Sequence, residues 1–289
     1  MKYLKYLGIA LIFSLTIAFG FSQTSQIILE STNPNISESL LTEAAEIIEN
    51  RLQAVKVEVI SSTIIGGTGK IQIEYLGEIS DKWRENLLTR QGQLRFRETL
   101  DRTLFIKTIS EEDPIFELLG LQVLNREIKD EENAVLATLK VELIEDLSVH
   151  VHRLHEEGKL PSMDVAWDLL VADQEDLSIY LLKAEAQTEA FMAGMLLDRS
   201  HLNVNQDQVA IMLEFNKVGA EKWANMTKKN IDKMLAITLD DQVLMAPRVR
   251  VEISGGKCQI TGDFDEDEGR YLLAMISSGE LPAKFEISN

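Results

Sequence analysis

The stretch LDDQVLMAPRVRVEISGGKCQITGDFDEDEGRYLLAM, Leu239–Met275, decides the reading of this chain. Asp240-Asp241 makes a tight acidic turn, since aspartate hydrogen-bonds its own backbone locally. VRVEI and KCQIT alternate apolar and polar residues on either side of Ser254-Gly255-Gly256, the pattern of two strands joined by a turn. Pro247 stands where a strand meets a bend or an unpaired edge. Asp265 followed three residues later by Glu268 is a capping box, and acidic residues there suit the positive end of the helix dipole. A helix from Asp265 to Ser277 and a last strand, KFEIS, follow.

Outward from this stretch the order of elements repeats. QVAIMLEF (Gln208–Phe215) alternates as a strand, and Val218, Trp223, Met226 and Ile231 mark a helix before MLAITL. At the other end, QIILES is strand-like and Ser37 opens a helical pattern through Leu40, Leu41, Ala44, Ile47, Ile48 and Leu52. VEVISSTII and KIQIEYLG flank Gly66-Gly67-Thr68-Gly69, a hairpin signal. A helix over Asp81–Arg90 carries Trp83, Leu87 and Leu88, and QLRFRET closes the block as a strand. Each half reads β-α-β-β-α-β, the ferredoxin-like arrangement. The expected fold is therefore α+β: a ferredoxin-like βαββαβ base built from N- and C-terminal segments, with an inserted α+β head subdomain. The expected divisions are a leader over 1–22, base over 23–99, head over 100–205 and base again over 206–289.

The middle is rich in Glu and Asp. IFELLGLQVL (Ile115–Leu124) is its most apolar stretch, and LIEDLSVHVHRLHEEG puts Leu143, Leu147, Val151 and Leu154 on one helical face. MDVAWDLLVA and LSIYLLKAE read as strands. IFELLGLQVL and FMAGMLL offer adaptable apolar surface for weak polypeptide binding. The candidate contacts are Phe116, Leu119, Phe191, Met192 and Met195; the favoured reading of the same runs is buried core.

The chain opens MKYLKYLGIALIFSLTIAFGFSQ: two lysines, an apolar run from Leu7 to Phe21, and small residues Gly20 and Ser22 around Phe21. This is a signal peptide cleaved after Ser22; left uncleaved, it would anchor the protein to the inner membrane. Export to the periplasm is the expectation. With 29 basic and 47 acidic residues, the net charge of −18 argues against nucleic acid, which needs a basic face. It also argues against a polybasic contact with anionic lipid. Cys258 is the only cysteine, so no intramolecular disulfide forms, and its place in KCQIT suggests a buried strand thiol.

The chemistry-bearing residues support no catalytic reading. His150, His152 and His155 include no i,i+4 pair, so they lack the helical zinc spacing. IIGGTGK (Ile64–Lys70) lacks the first glycine and the Ser/Thr of a phosphate loop, and a strand follows it. DFDEDEG departs from a calcium loop, with its glycine one position late and Ala274 where the closing glutamate belongs. Neither a GxSxG elbow nor paired Cys/His ligands occur. The expectation is a protein that is not an enzyme and uses no cofactor or metal.

The opening stretch, continued through LPAKFEI, closely resembles the end of the first large periplasmic domain of the SecD/SecDF protein-export family. The matching positions are Asp240 in the turn, Ala246-Pro247, Gly255-Gly256, Gly262 and Phe264 in ITGxF, and Leu281-Pro282-Ala283. Asn216, Gly219-Ala220, Trp223, Thr227, Asn230 and Ile231 sit at matching steps upstream. EIIENRLQAVKVEV and GQLRFRET resemble the family's first helix and fourth strand. The sequence departs from the family at Asp241, Met245 and Lys284, and it lacks the LDLQGG-type segment. The resemblance implies a stand-alone domain without the membrane helices that carry the family's proton-linked work. It also implies a rigid base under a head that holds emerging or unfolded polypeptide, with exported polypeptides or Sec membrane components as partners. A repurposed cell-envelope module using the base as an assembly surface is the alternative. The resemblance names no oligomeric state.

Overall fold

The computed structural model describes residues 24–100, 102–110, 112–120, 134–168, 176–184, 191–205 and 208–288. The N-terminal block runs β1 (Ser25–Ser31), α1 (Glu38–Ala54), β2 (Glu58–Ile65), β3 (Lys70–Leu76), α2 (Asp81–Thr89) and β4 (Leu94–Glu98). Ser37 caps α1 by accepting from the Leu40 N–H, and Leu41, Ala44, Ile48 and Leu52 form its buried face. The middle contains α3 (Arg102–Thr108), α4 (Pro114–Leu118), β5 (Ala137–Lys140), α5 (Ile144–Glu156), β6 (Met163–Asp168) and β7 (Asp176–Lys183). Then come β8 (Phe191–Met192), β9 (Leu197–Val204), β10 (Val209–Phe215), α6 (Lys217–Lys229), β11 (Leu235–Leu239), β12 (Gln242–Met245), β13 (Lys257–Thr261), α7 (Glu266–Ser277) and β14 (Phe285–Ser288).

Three sheets organise these strands: β14-β1-β3-β2, β13-β10-β9 and β5-β7-β6-β12-β11-β4-β8. In the first sheet β14 lies antiparallel beside β1, Ile28 opposite Ser288, so the two ends of the chain share one sheet. This is the order a βαββαβ unit gives its fourth, first, third and second strands, but the fourth strand comes from the C-terminus. The sequence assigned that place to QLRFRET. That strand, β4, instead pairs with β11, Phe96 opposite Ile237. The reason is visible in its packing: the Phe96 ring sits 4.6 Å from Trp223 and 5.9 Å from Phe215, aromatic partners that only the C-terminal half provides.

A second correction concerns VRVEI, which is not a strand. Val249 is buried at 6%, whereas Val251 and Ile253 are exposed, so its apolar face is buried at one end only. The Ile253 N–H bonds the Thr227 hydroxyl rather than a neighbouring strand. Four strands escaped the sequence reading: β5 and β8, of four and two residues, and β9 and β12. β12 is only four residues long, and β9, LDRSHLNV, is too polar to show alternation; it pairs with β10 all the same.

The cores divide along the chain. One gathers residues from Leu29 to Phe96 and from Ala193 to Phe285; another gathers Leu100 to Leu181, with Phe105, Ile115, Leu147 and Leu154 at its centre. The seven-stranded sheet joins them, because β12 lies parallel to β6, Gln242 opposite Trp167. A small cluster of Ala166, Leu182, Ala236 and Val243 seals that seam, and Arg97 of β4 bonds Asp164 of β6 across it. Among the described residues no helix is long and apolar enough to cross a membrane.

Candidate functional site

The turn that opens the decisive stretch holds the base together. Asp240 takes a left-handed φ of +56°, which aspartate tolerates better than most residues. Its carboxylate accepts the N–H groups of Gly92, at 3.0 Å, and Gln93, at 2.9 Å. Behind it lies Arg51, fully buried on the apolar face of α1. The guanidinium donates to four carbonyls: Leu87 at 3.0 Å, Arg90 and Gln91 at 2.7 Å, and Gly279 at 3.1 Å. These belong to the ends of α2 and α7, where helices leave carbonyls without partners. Burial pulls Arg51 down to about 10, against the opposing effect of Asp240's negative charge. Gly92, at φ +81°, leaves the room: a Cβ there would stand 2.5 Å from the Arg51 side chain. The sequence carried a signal for this latch, a lone charged residue on the face of Leu41, Ala44 and Ile48, which the reading did not single out.

The remaining positions of the stretch are also architectural. Pro247 ends the β12 arm, and its carbonyl accepts the Leu235 N–H at 3.0 Å. Ala246 borders the small cluster at the seam. Gly255 lies exposed in the turn, and Gly256 takes φ +63° with its carbonyl accepting the Phe215 N–H. Gly262 leaves space for the Phe264 ring, 2.9 Å from where a Cβ would be. The capping box of α7 has both bonds, Asp265 Oδ1 from the Glu268 N–H at 2.8 Å and Glu268 Oε2 from the Asp265 N–H at 3.0 Å. Glu268 also pairs with Lys82 of α2.

The five expected polypeptide contacts are not brought together. Phe116 and Leu119 are 6% and 4% exposed within the middle core, because α4 turns its apolar residues onto α5 and its neighbours. They are core, not surface. Residues 121–124 of the same run lie outside the described residues. Phe191 and Met192 form β8, opposite Phe96 and Arg95 at the far edge of the seven-stranded sheet. Met195, beside them, is 86% exposed.

The histidines do not converge. His152 faces Glu156 on the surface, and His155 Nδ1 lies 3.1 Å from the Leu160 carbonyl. Among the described residues no group of three or more His, Cys, Asp or Glu could hold a metal ion. Cys258 is buried, and burial pushes its thiol up to about 12. IIGGTGK is the β2–β3 hairpin turn.

Two clefts remain. A polar one of about 410 Å³ lies at the seam, between Trp167 of β6, Arg90 and Gln242, and Lys284 and Glu286. An apolar one of about 350 Å³ opens within the decisive stretch itself. Trp223, Leu235, Ile237 and Met245 line it, with residues 247–253 and 257–259 at its sides. The sequence reading missed it, since it exists only because VRVEI and KCQIT do not pair.

Fold and site thus define a two-part α+β domain whose most specific sequence is a structural latch. A family profile described as "SecDF, P1 head subdomain" matches residues 170–283. Protein translocase subunit SecD of Acidaminococcus fermentans is 41% identical over 97 residues, 33% of this chain and 23% of that protein. SecD of Acetobacter pasteurianus is 34% identical over 100 residues, 35% of this chain and 18% of that protein. The chain spans about a fifth of the length of these curated relatives. A solved structure described as "Structure and function of a membrane component SecDF that enhances protein export" superposes with a TM-score of 0.54 at 21% identity, covering 92% of this chain and 98% of that one. "Crystal structure of SecDF in Super-membrane-facing form" gives 0.55 at 21% identity, covering 91% and 29%. The two structures show a shared fold. The sequence matches show that part of this chain is similar to SecD and to the SecDF P1 head profile.

Proposed function

We propose that this domain serves protein export without catalysis, on the periplasmic side of the membrane, by holding emerging or unfolded polypeptide or docking on Sec membrane components. The observation that carries the reading is the match of residues 170–283 to the SecDF head profile, supported by the 41% identity to a SecD over 97 residues. The architecture supports it. A base latched by a buried arginine carries a head with its own core, joined through a continuous sheet. Periplasmic location rests on the family and on the leader expected over 1–22, which lies outside the described residues.

The test is photo-cross-linking in cells from two exposed positions, Val149 on α5 of the head and Met195 beside β8, read by mass spectrometry. Exported precursors or Sec components among the products support the reading. Recovery of unrelated envelope proteins alone would replace it with the assembly-module alternative.

A further inference from the structure

The decisive stretch encodes a hairpin that the structure leaves open. VRVEI and KCQIT both alternate and meet at Ser-Gly-Gly, yet β13 pairs only with β10 among the described strands, and residues 248–253 pair with no part of it. The Phe215 N–H bonds the Gly256 carbonyl, and Leu213 stands opposite Cys258. Alternation in an antiparallel ladder then turns the backbone groups of Lys257 and Gln259 away from β10. The Lys257 carbonyl is taken by the Trp223 indole at 3.2 Å. The N–H and C=O of Gln259 have no partner among the described residues, so β13 is an open edge.

Beside that edge lies the apolar cleft, floored by Trp223, Leu235, Ile237 and Met245. Val251 is 64% exposed and Ile253 37% on the opposite arm. At about 350 Å³ the cleft is at the small end of ligand sites, roughly 300–1,000 Å³, and suits the side chains of a segment rather than a folded partner. Arg248, Arg250 and Lys257 line its rim. Its lining holds these three basic residues and no carboxylate, so the rim is cationic in a chain of net charge −18, although Lys257 also pairs with Glu214 at 3.4 Å.

We propose that the cleft between the 247–253 arm and β13 is a strand-accepting slot for an extended polypeptide segment that alternates apolar and acidic residues. The bound segment would continue the sheet from Gln259, put alternate apolar side chains on the Trp223–Leu235–Ile237 floor, and face its acids to the rim, in the manner of strand addition to an open edge. The proposal rests on the reading that this domain takes polypeptide, and it places the contact between α6 and β13, within the residues that the head profile matches.

The test uses the purified chain and two fluorescein-labelled peptides, one alternating valine with glutamate and one alternating valine with lysine, read by fluorescence anisotropy. The glutamate peptide is expected to bind and the lysine peptide to bind at least tenfold more weakly. Val251→Asp with Ile253→Asp, both at exposed positions, should weaken the glutamate peptide at least tenfold while leaving circular dichroism unchanged. Gln259→Pro, which removes only the outward N–H at an edge where proline is tolerated, should do the same. Arg248→Glu with Lys257→Glu should reverse the preference between the peptides. Binding that none of these variants alters would overturn the slot and leave the polypeptide reading standing. Binding of neither peptide would also overturn the slot, and the cross-linking from Val149 and Met195 then decides the polypeptide reading separately. A concentration-dependent dimer abolished by Val251→Asp would also overturn the proposal, giving the slot to a second copy.

Discussion

The two cores reach stability by different routes. The head core is contiguous in sequence, Leu100 to Leu181, and depends on helices folded back on the strands β5, β6 and β7 beside them. The base core joins Leu29 to Phe285 and is complete only when β14 pairs with β1, across nearly the whole chain. Loop-closure entropy disfavours such distant pairings, so the base needs interactions that no local segment supplies. The Arg51 latch is one. It ties α1, the end of α2 and the end of α7 at a single guanidinium. The lesson is that the most recognisable stretch of this chain secures the part of the fold whose strands are farthest apart.

The comparison predicts separable responses, read by urea unfolding with hydrogen exchange resolved by region. Arg51→Ala strands buried carbonyls and should destabilise the base by about 3–5 kcal/mol while the head keeps its protection. If head and base lost protection together, the two cores would be one cooperative unit. Leu147→Ala should act in reverse, weakening the head by about 2–4 kcal/mol with the base unmoved, since Leu147 is fully buried in the head core. Asp265→Ala removes the cap of α7 and should destabilise the base by about 1 kcal/mol.

The smallest effect belongs to the seam. Burial pushes the Glu98 carboxyl up, but the hydrogen bond and charge of Lys183, with Asn230 and Lys233, outweigh it and hold it below its ordinary 4.5. A carboxyl lowered in the folded state contributes stability above its unfolded value and loses it as pH falls through the lower folded value. Acid below about pH 4.5 should therefore loosen the contact of β4 with β7. Glu98→Gln should flatten that dependence in exchange measured at Thr99 and Leu182, which bridge there.

Much of this was legible in the sequence because it is local. The Ser37 cap, the Asp265–Glu268 box, the glycine hairpin and the buried faces of α1 and α5 all follow from spacing within a few residues. Phe116 and Leu119 are surface candidates in the sequence, yet buried in the structure, for a different reason. An apolar run such as IFELL shows that burial is wanted, but not whether a core or a partner provides it, and for Phe116 and Leu119 it was the core. Arg51 stood in plain view on an apolar helix face, yet its four carbonyls come from 36 to 228 residues away.

By itself, the sequence determined the helices, most of the strands, their caps and turns, and the α+β class, since these depend on side-chain period and local backbone preference. Only the tertiary structure decided which strand closes which sheet: β14, not β4, lies beside β1, and VRVEI lies beside an empty edge instead of pairing. Alternation makes strands interchangeable until particular side chains find volume. Here the ring of Phe96 against Trp223 and the guanidinium of Arg51 beneath Asp240 made that choice.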